Sequence, residues 1–319
     1  MLGPIIANPG KNSAASLLKL AGIGALSHTY ACTVNDIADC EEDRLDPRRA
    51  VSPLVSGDIS LTAARISAAL QLLTALALTA SLHRESRIRS SLCAAVLFGS
   101  ITYSNARQKS GDMPPQFMDA LFGANLGSPA ALAALSMQAA QPKRCLGLSS
   151  SFGLQMFLLN AVAGNLKDLE HDRSVKAFTT ALNMGARIRP DGTLDAPKGY
   201  RWLAIVTNSA EPLPLIHLTL NAPARRPAKA AIITAVMLLM CCSNSSLYQL
   251  LSGHRQVSTR GRERYLVFNY IGLIASCLPY SPAAVATTAT ATIGWVALCQ
   301  QTAAILEQVE HRLVGQDDS

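Results

Sequence analysis

The chain has 319 residues, enough for one large domain or two ordinary ones, and a formal net charge of +7. Only 15% of its residues are charged, against ~25% in a typical soluble domain. Its apolar residues are gathered into long runs, which excludes an ordinary water-soluble fold. The eight cysteines form no C-x-x-C pair and no zinc spacing and are read as buried thiols.

In chain order, the first apolar run covers 13–34 and passes directly into TVNDIADCEEDRLDPRR, which holds six acidic residues. The run at 61–82 has Arg65 as its only charge, and those at 145–166, 230–251 and 283–306 have none. Each is about the 20 residues that a helix needs to cross the hydrocarbon layer. The run at 13–34 is weaker, and further weaker runs at 90–106, 117–140, 202–220 and 265–278 fill the gaps, the one at 202–220 holding Glu211, Pro212 and Pro214. Alternating segments of roughly ten residues, which a barrel would need, are absent. The expectation is an all-α polytopic membrane helix bundle of eight to nine transmembrane helices, a single domain over 1–319 with a disordered tail at 309–319. No cleavable signal peptide is legible, because the first run lacks a basic leader and an A-x-A exit.

Nine spans fix which loops share a face. The loops at 39–60, 106–116, 167–201 and 252–264, with the tail, carry seventeen of the 28 Lys and Arg residues, against nine on the opposite face. The positive-inside rule makes the first face cytoplasmic.

The acidic stretch lies on that face. Asn35, Asp39 and Asp43 are four apart and stack along one side of a helix. Like charges at that spacing repel unless a cation sits between them. Oxygen ligands on a rigid helix suit Mg²⁺ that keeps several waters and shares itself with a phosphate. An acidic cap is the plainer alternative, but carboxylates are disfavoured at a helix C-terminus. A second cluster, in NAVAGNLKDLEHDR, repeats the spacing with Asn160, Gly164, Asp168 and Asp172. Basic residues follow both: Arg44, Arg48 and Arg49 after the first, Arg173 and Lys176 after the second. The element YSNARQK adds Tyr103, Arg107 and Lys109 on the same face. Cations around paired acid clusters are what a diphosphate requires.

The order N-D-x-x-D-x-x-x-D, then SPLVSG, then Y-S with a trailing R-x-K, then D-x-x-x-D-R resembles the UbiA superfamily of intramembrane prenyltransferases. The resemblance implies that Mg²⁺, held by Asn35, Asp39, Asp43, Asp168 and Asp172, bridges to an isoprenoid diphosphate whose tail lies in a membrane cavity. Asp36, Asn160 and Asn165 are further candidate ligands. Asn35, Arg107, Lys109, Arg173, Arg44 and Lys176 would hold the diphosphate. Asp39, Asp168, Lys109 and Tyr103 would be catalytic, with Tyr103 steadying the cation or a phosphate oxygen or serving only as an interfacial tyrosine. Transfer to an aromatic or other lipophilic acceptor follows. Intramolecular cyclisation of the prenyl chain stays open, and a cation-coupled transporter is the reading from another class. The partners expected are the diphosphate, the acceptor and the lipid bilayer, with no nucleic acid and no obligate protein.

Three departures from the family pattern stand out. Ser52-Pro53-Leu54 replaces an Arg-Pro-Leu, Asn165 takes a position that is often Asp, and only 34 residues precede Asn35. Three smaller features complete the reading. Asp119 is read as an N-terminal dipole partner of its helix. Glu211 either faces the cavity or marks a break at Pro212. The polar loop RIRPDGTLDAPKGY, with its Asp191-Gly192 turn, is either a lid or a plain connector.

Overall fold

A computed structural model describes residues 14–45, 49–82, 87–107, 111–136 and 142–280, with Pro282, Val285 and Ala286 beyond them. Long helices dominate: α1 (Ala14–Asp43), α2 (Leu61–Leu82), α3 (Arg87–Arg107), α4 (Pro115–Ser136), α5 (Pro142–Leu158), α6 (Lys198–Ala210), α7 (Pro212–Leu220), α8 (Arg226–Leu251) and α9 (Thr259–Cys277). The candidate span at 283–306 and the tail at 309–319 lie almost wholly outside the described residues. Among the described residues three helical stretches, Leu61–Leu82, Leu146–Lys167 and Arg226–Leu251, are long and apolar enough to cross a membrane. Ile66, Leu70 and Leu73 are exposed on α2. Facing lipid, such side chains need no protein cover.

The helices pack in chain order. α1 contacts α2 and α3, α3 contacts α4, α4 contacts α5, and α5 meets α6, α7 and α9, which close on α8. The first group buries Tyr30 edge-on against Phe98, ring centroids 4.8 Å apart, with Ala68, Ala75 and Ile101 around them. The tightest contact joins α4 to α5. A Cβ on Gly123 would lie 2.5 Å from the Gly153 carbonyl oxygen, and one on Gly127 would lie 2.5 Å from that of Ser149. Small residues one turn apart thus let two backbones touch, a packing available to membrane helices that lack a hydrophobic drive to associate.

Between α6 and α7, Glu211 keeps helical dihedrals, φ −54° and ψ −43°, so Pro212 interrupts the hydrogen-bond series without turning the chain. Glu211 is buried and accepts from the Ser151 hydroxyl of α5.

Residues 187–195 form a small antiparallel hairpin, Arg187–Ile188 paired with Leu194–Asp195, turning at Gly192 with φ 78°. It is fastened to the α8–α9 connection: Val257 N–H donates to the Gly192 carbonyl at 2.9 Å and Gln256 Nε2 to the Asp191 carbonyl at 3.1 Å. The loop is therefore pinned to a second connection at this end of the bundle. A Cβ on Gly111, in the α3–α4 connection, would lie 3.9 Å from the Phe178 ring. The connecting residues at 111–114, 175–197 and 252–258 thus share one end of the bundle, as the alternation of long helices requires.

Candidate active site

The first cluster sits where α1 carries its last two turns. Its helix runs unbroken to Asp43, so the four-residue spacing does put Asn35, Asp39 and Asp43 on one side. Asn35 Nδ2 donates to Asp39 Oδ2 at 3.0 Å, which leaves the Asn35 carbonyl oxygen beside a carboxylate. Asp43 lies 3.7 Å from the Arg49 guanidinium. Asp36, one position round the helix, is exposed. Arg44 pairs with Glu41 at 2.7 Å in solvent, so its charge is directed along the helix end.

The second cluster is built differently from the sequence expectation. Leu159–Gly164 is a π-helix, and Asp168, with φ −106° and ψ 11°, ends the following turn before Leu169–Ser174 begins. Bonds from i to i+5 widen the turn. Asn160, Gly164, Asp168 and Asp172 therefore do not stack on one continuous face. The wide turn points Asn160 towards α4, where its Nδ2 donates to Asp119 at 2.6 Å. Thr180, on the loop after the cluster, donates to the other Asp119 oxygen. Asp119 is 2% exposed and acts as a buried acceptor joining α4, the π turn and the loop, not as a helix-end dipole partner.

Asn165 is also used internally. Its Nδ2 donates to the Asn160 carbonyl at 2.7 Å and its Oδ1 accepts from Ala181 N–H at 3.1 Å. Tyr200 donates to the Ala161 carbonyl at 2.8 Å and Tyr265 to that of Leu158 at 3.0 Å. Carbonyls around the π turn are thus caught by side chains from other elements, which a buried backbone needs. Asn160 and Asn165 serve as braces, and their amides are occupied accordingly. Asp168 is half-buried and Asp172 is buried at the start of the next short helix.

The cationic candidates surround this end. Arg173 donates to the Ala186 carbonyl at 3.0 Å and lies 3.4 Å from Glu170. Lys176 is exposed in a left-handed turn, φ 58°. Arg107 closes α3 and pairs with Asp112, a partner the sequence did not suggest. Tyr103 is 46% exposed on the same last turn. Lys109 lies outside the described residues, as does Arg48.

Among the described residues no three His, Cys, Asp or Glu side chains converge as a ready-made metal cage. Each cluster offers only oxygen donors, Asn35, Asp39 and Asp43 at one and Asp168 and Asp172 at the other. That set fits a hard cation such as Mg²⁺, which keeps waters and takes the rest of its shell from a phosphate.

A family model for the UbiA prenyltransferase family matches residues 1–254. The fold is similar to that of a UbiA homologue from Aeropyrum pernix K1, with a TM-score of 0.64 and 18% identity over 85% of this chain and 93% of that one. It is also similar to a UbiA homologue from Archaeoglobus fulgidus bound to DMAPP and Mg²⁺, with a TM-score of 0.57 and 16% identity over 88% and 94% of the two chains. A digeranylgeranylglyceryl phosphate synthase gives a TM-score of 0.58 and 16% identity over 88% and 90%. Against curated proteins no sequence match was found.

Proposed function

Since this chain belongs to the UbiA prenyltransferase family, we propose that it binds an isoprenoid diphosphate between its two acid clusters and transfers the prenyl group to an aromatic or other lipophilic acceptor. The observation that supports this reading is that two oxygen-donor clusters, one on α1 and one after the π turn, each end a long helical stretch with a cation beside them, Arg49 at Asp43 and Arg173 in the helix of Asp172.

Asn35, Asp39, Asp43, Asp168 and Asp172 would hold Mg²⁺, which supplies charge neutralisation of the diphosphate when bound. The protein's own part is positional. Asn35 holds Asp39 in one rotamer through the 3.0 Å bond. Asp119, Asn160 and Asn165 fix the π turn from which Asp168 and Asp172 follow. Arg107, Lys109 and Arg173, with Arg44 and Lys176 at the rim, would stabilise the leaving diphosphate as the C1–O bond breaks. Tyr103 would lie at that rim as well. The pinned hairpin and the apolar helices would keep water from the allylic cation until the acceptor reacts.

We place this face in the cytoplasm on the excess of Lys and Arg in its loops, and read 1–319 as one functional unit. The test is incubation of purified protein with Mg²⁺ and a panel of prenyl diphosphates, with and without acceptors. Product that appears only with an aromatic or lipid acceptor supports transfer. Cyclic hydrocarbon without any acceptor replaces it with cyclisation, and no turnover of any diphosphate removes the proposal.

A further inference from the structure

Away from the acid clusters, α1, α2 and α3 enclose a crevice of about 410 Å³, within the ~300–1,000 Å³ typical of ligand clefts. It lies behind the first cluster. At about 100° per residue, Asn35, Asp39 and Asp43 occupy one side of α1, and the crevice-lining Tyr30, Val34 and Ile37 occupy roughly the opposite side. Its walls are largely apolar, with Ala69 and Leu72 from α2 and Ala106 from α3. Two of its polar groups satisfy each other: the Tyr30 and Thr102 hydroxyls are 2.6 Å apart, and Thr102 donates onward to the Phe98 carbonyl at 2.9 Å.

Arg65 is different. It is the one charged residue of α2, lies in the second turn of that helix and lines the crevice. Among the described residues it has no carboxylate or hydrogen-bond partner. A guanidinium carries five N–H donors and keeps its charge in any protein setting. Arg65 is exposed near the start of the span, at the depth where a guanidinium reaches the interface and its anionic headgroups. A free phosphate would meet Arg65 and leave the apolar walls bare. A neutral acyl chain would fill the walls and leave Arg65 unpaired. A chain and an anion joined in one molecule answer both.

We propose that this crevice binds a bilayer phospholipid with a net-anionic headgroup, whose oxygens pair with Arg65 while an acyl chain lies along Val34, Ala69 and Leu72. The consequence reaches the first cluster. Val34, Ile37 and Ala38 alternate with Asn35, Asp36 and Asp39 on the same turns, so a seated lipid braces the helix that presents the acids.

The experiment needs no enzymatic readout. Full-length protein is stripped of lipid in detergent, back-titrated with phosphatidylglycerol, phosphatidylcholine or inorganic phosphate, and examined by native mass spectrometry. The wild type should retain one phosphatidylglycerol with a preference of roughly tenfold over phosphatidylcholine, the scale of one hydrogen bond to a charged group. Arg65→Gln should reduce that ratio to about one. Ala69→Phe, which fills the crevice from an exposed position, should weaken both lipids. If Arg65→Gln does not fold, the wild-type preference and the Ala69→Phe result decide. The proposal is overturned by an unchanged ratio in Arg65→Gln, by unchanged retention in Ala69→Phe, or by inorganic phosphate displacing the lipid at equal concentration.

Discussion

Asp119→Ala tests whether the second cluster is braced from α4. In the wild type, one carboxylate accepts from the Asn160 amide at 2.6 Å and from the Thr180 hydroxyl, at a position 2% exposed. The substitution leaves two donors without an acceptor. Each orphaned buried donor costs ~1–3 kcal/mol, so the loss should be about 2–6 kcal/mol. The lower half of that range is favoured, because Asn160 is only half-buried and removing a buried acid also removes its desolvation cost. Adding Thr180→Val deletes one of the stranded donors. The double mutant should therefore be more stable than the sum of the singles by about 1 kcal/mol or more, a coupling typical of residues in one network. Equilibrium unfolding in mixed micelles, followed by circular dichroism, measures all four corners of the cycle. Strict additivity, or a single-mutant loss within ~0.5 kcal/mol as for an ordinary surface change, would refute the brace.

Three other outcomes are expected. Asp39→Ala and Asp168→Ala should each abolish prenyl-diphosphate turnover, and the double mutant should be little worse, because residues acting as one unit are non-additive; Asp58→Ala, exposed beside Ser56, should stay active in the same assay. Gly127→Leu should destabilise the protein by ~3 kcal/mol or more, since even a Cβ there meets backbone atoms at 2.5–2.9 Å; thermal unfolding in detergent should show it, and an unchanged midpoint would argue against the helix contact. The Thr193 hydroxyl and amide hold the Asp191 carboxyl below its ordinary 3.8. A depressed carboxyl contributes its stability above the ordinary value and loses it as pH falls through the lowered one. The protection factor of the Val257 amide, measured against its intrinsic exchange rate at each pH, should therefore be unchanged from neutral pH down to about 4 and fall below, with Thr193→Ala moving the onset upward.

The helices, the first acid cluster and the membrane setting were legible because they rest on local quantities: length, charge density and a four-residue period. The helix of α1 does run through Asn35, Asp39 and Asp43 without interruption. The second cluster was legible in composition but not in shape. Nothing in NAVAGNLKDLEHDR announces a π turn, because the turn is held by groups distant in sequence: Asp119, Tyr200 and Tyr265. The same blindness misjudged Asp119, whose partners are 41 and 61 residues away. Spacing showed that Asn160 and Asn165 were near the acids; only the fold shows that they serve the backbone. Glu211 was flagged by its cost in lipid, and its partner Ser151, sixty residues earlier, was beyond any periodicity.

The backbone contact between α4 and α5 bears on how the chain is assembled. Gly123, Gly127 and Gly153 lie in consecutive helices, so their meeting requires closure of only a short segment. Two spans that touch main chain to main chain leave no room for lipid between them. Such a pair can leave the insertion machinery already joined, a preformed hairpin onto which the later helices dock. The pair also carries Asp119, near the start of α4, beside the π turn into which α5 leads. The part of the second cluster's scaffold that α4 supplies is thereby set in place by neighbours in synthesis order, and α6 and α9 add Tyr200 and Tyr265 to it later.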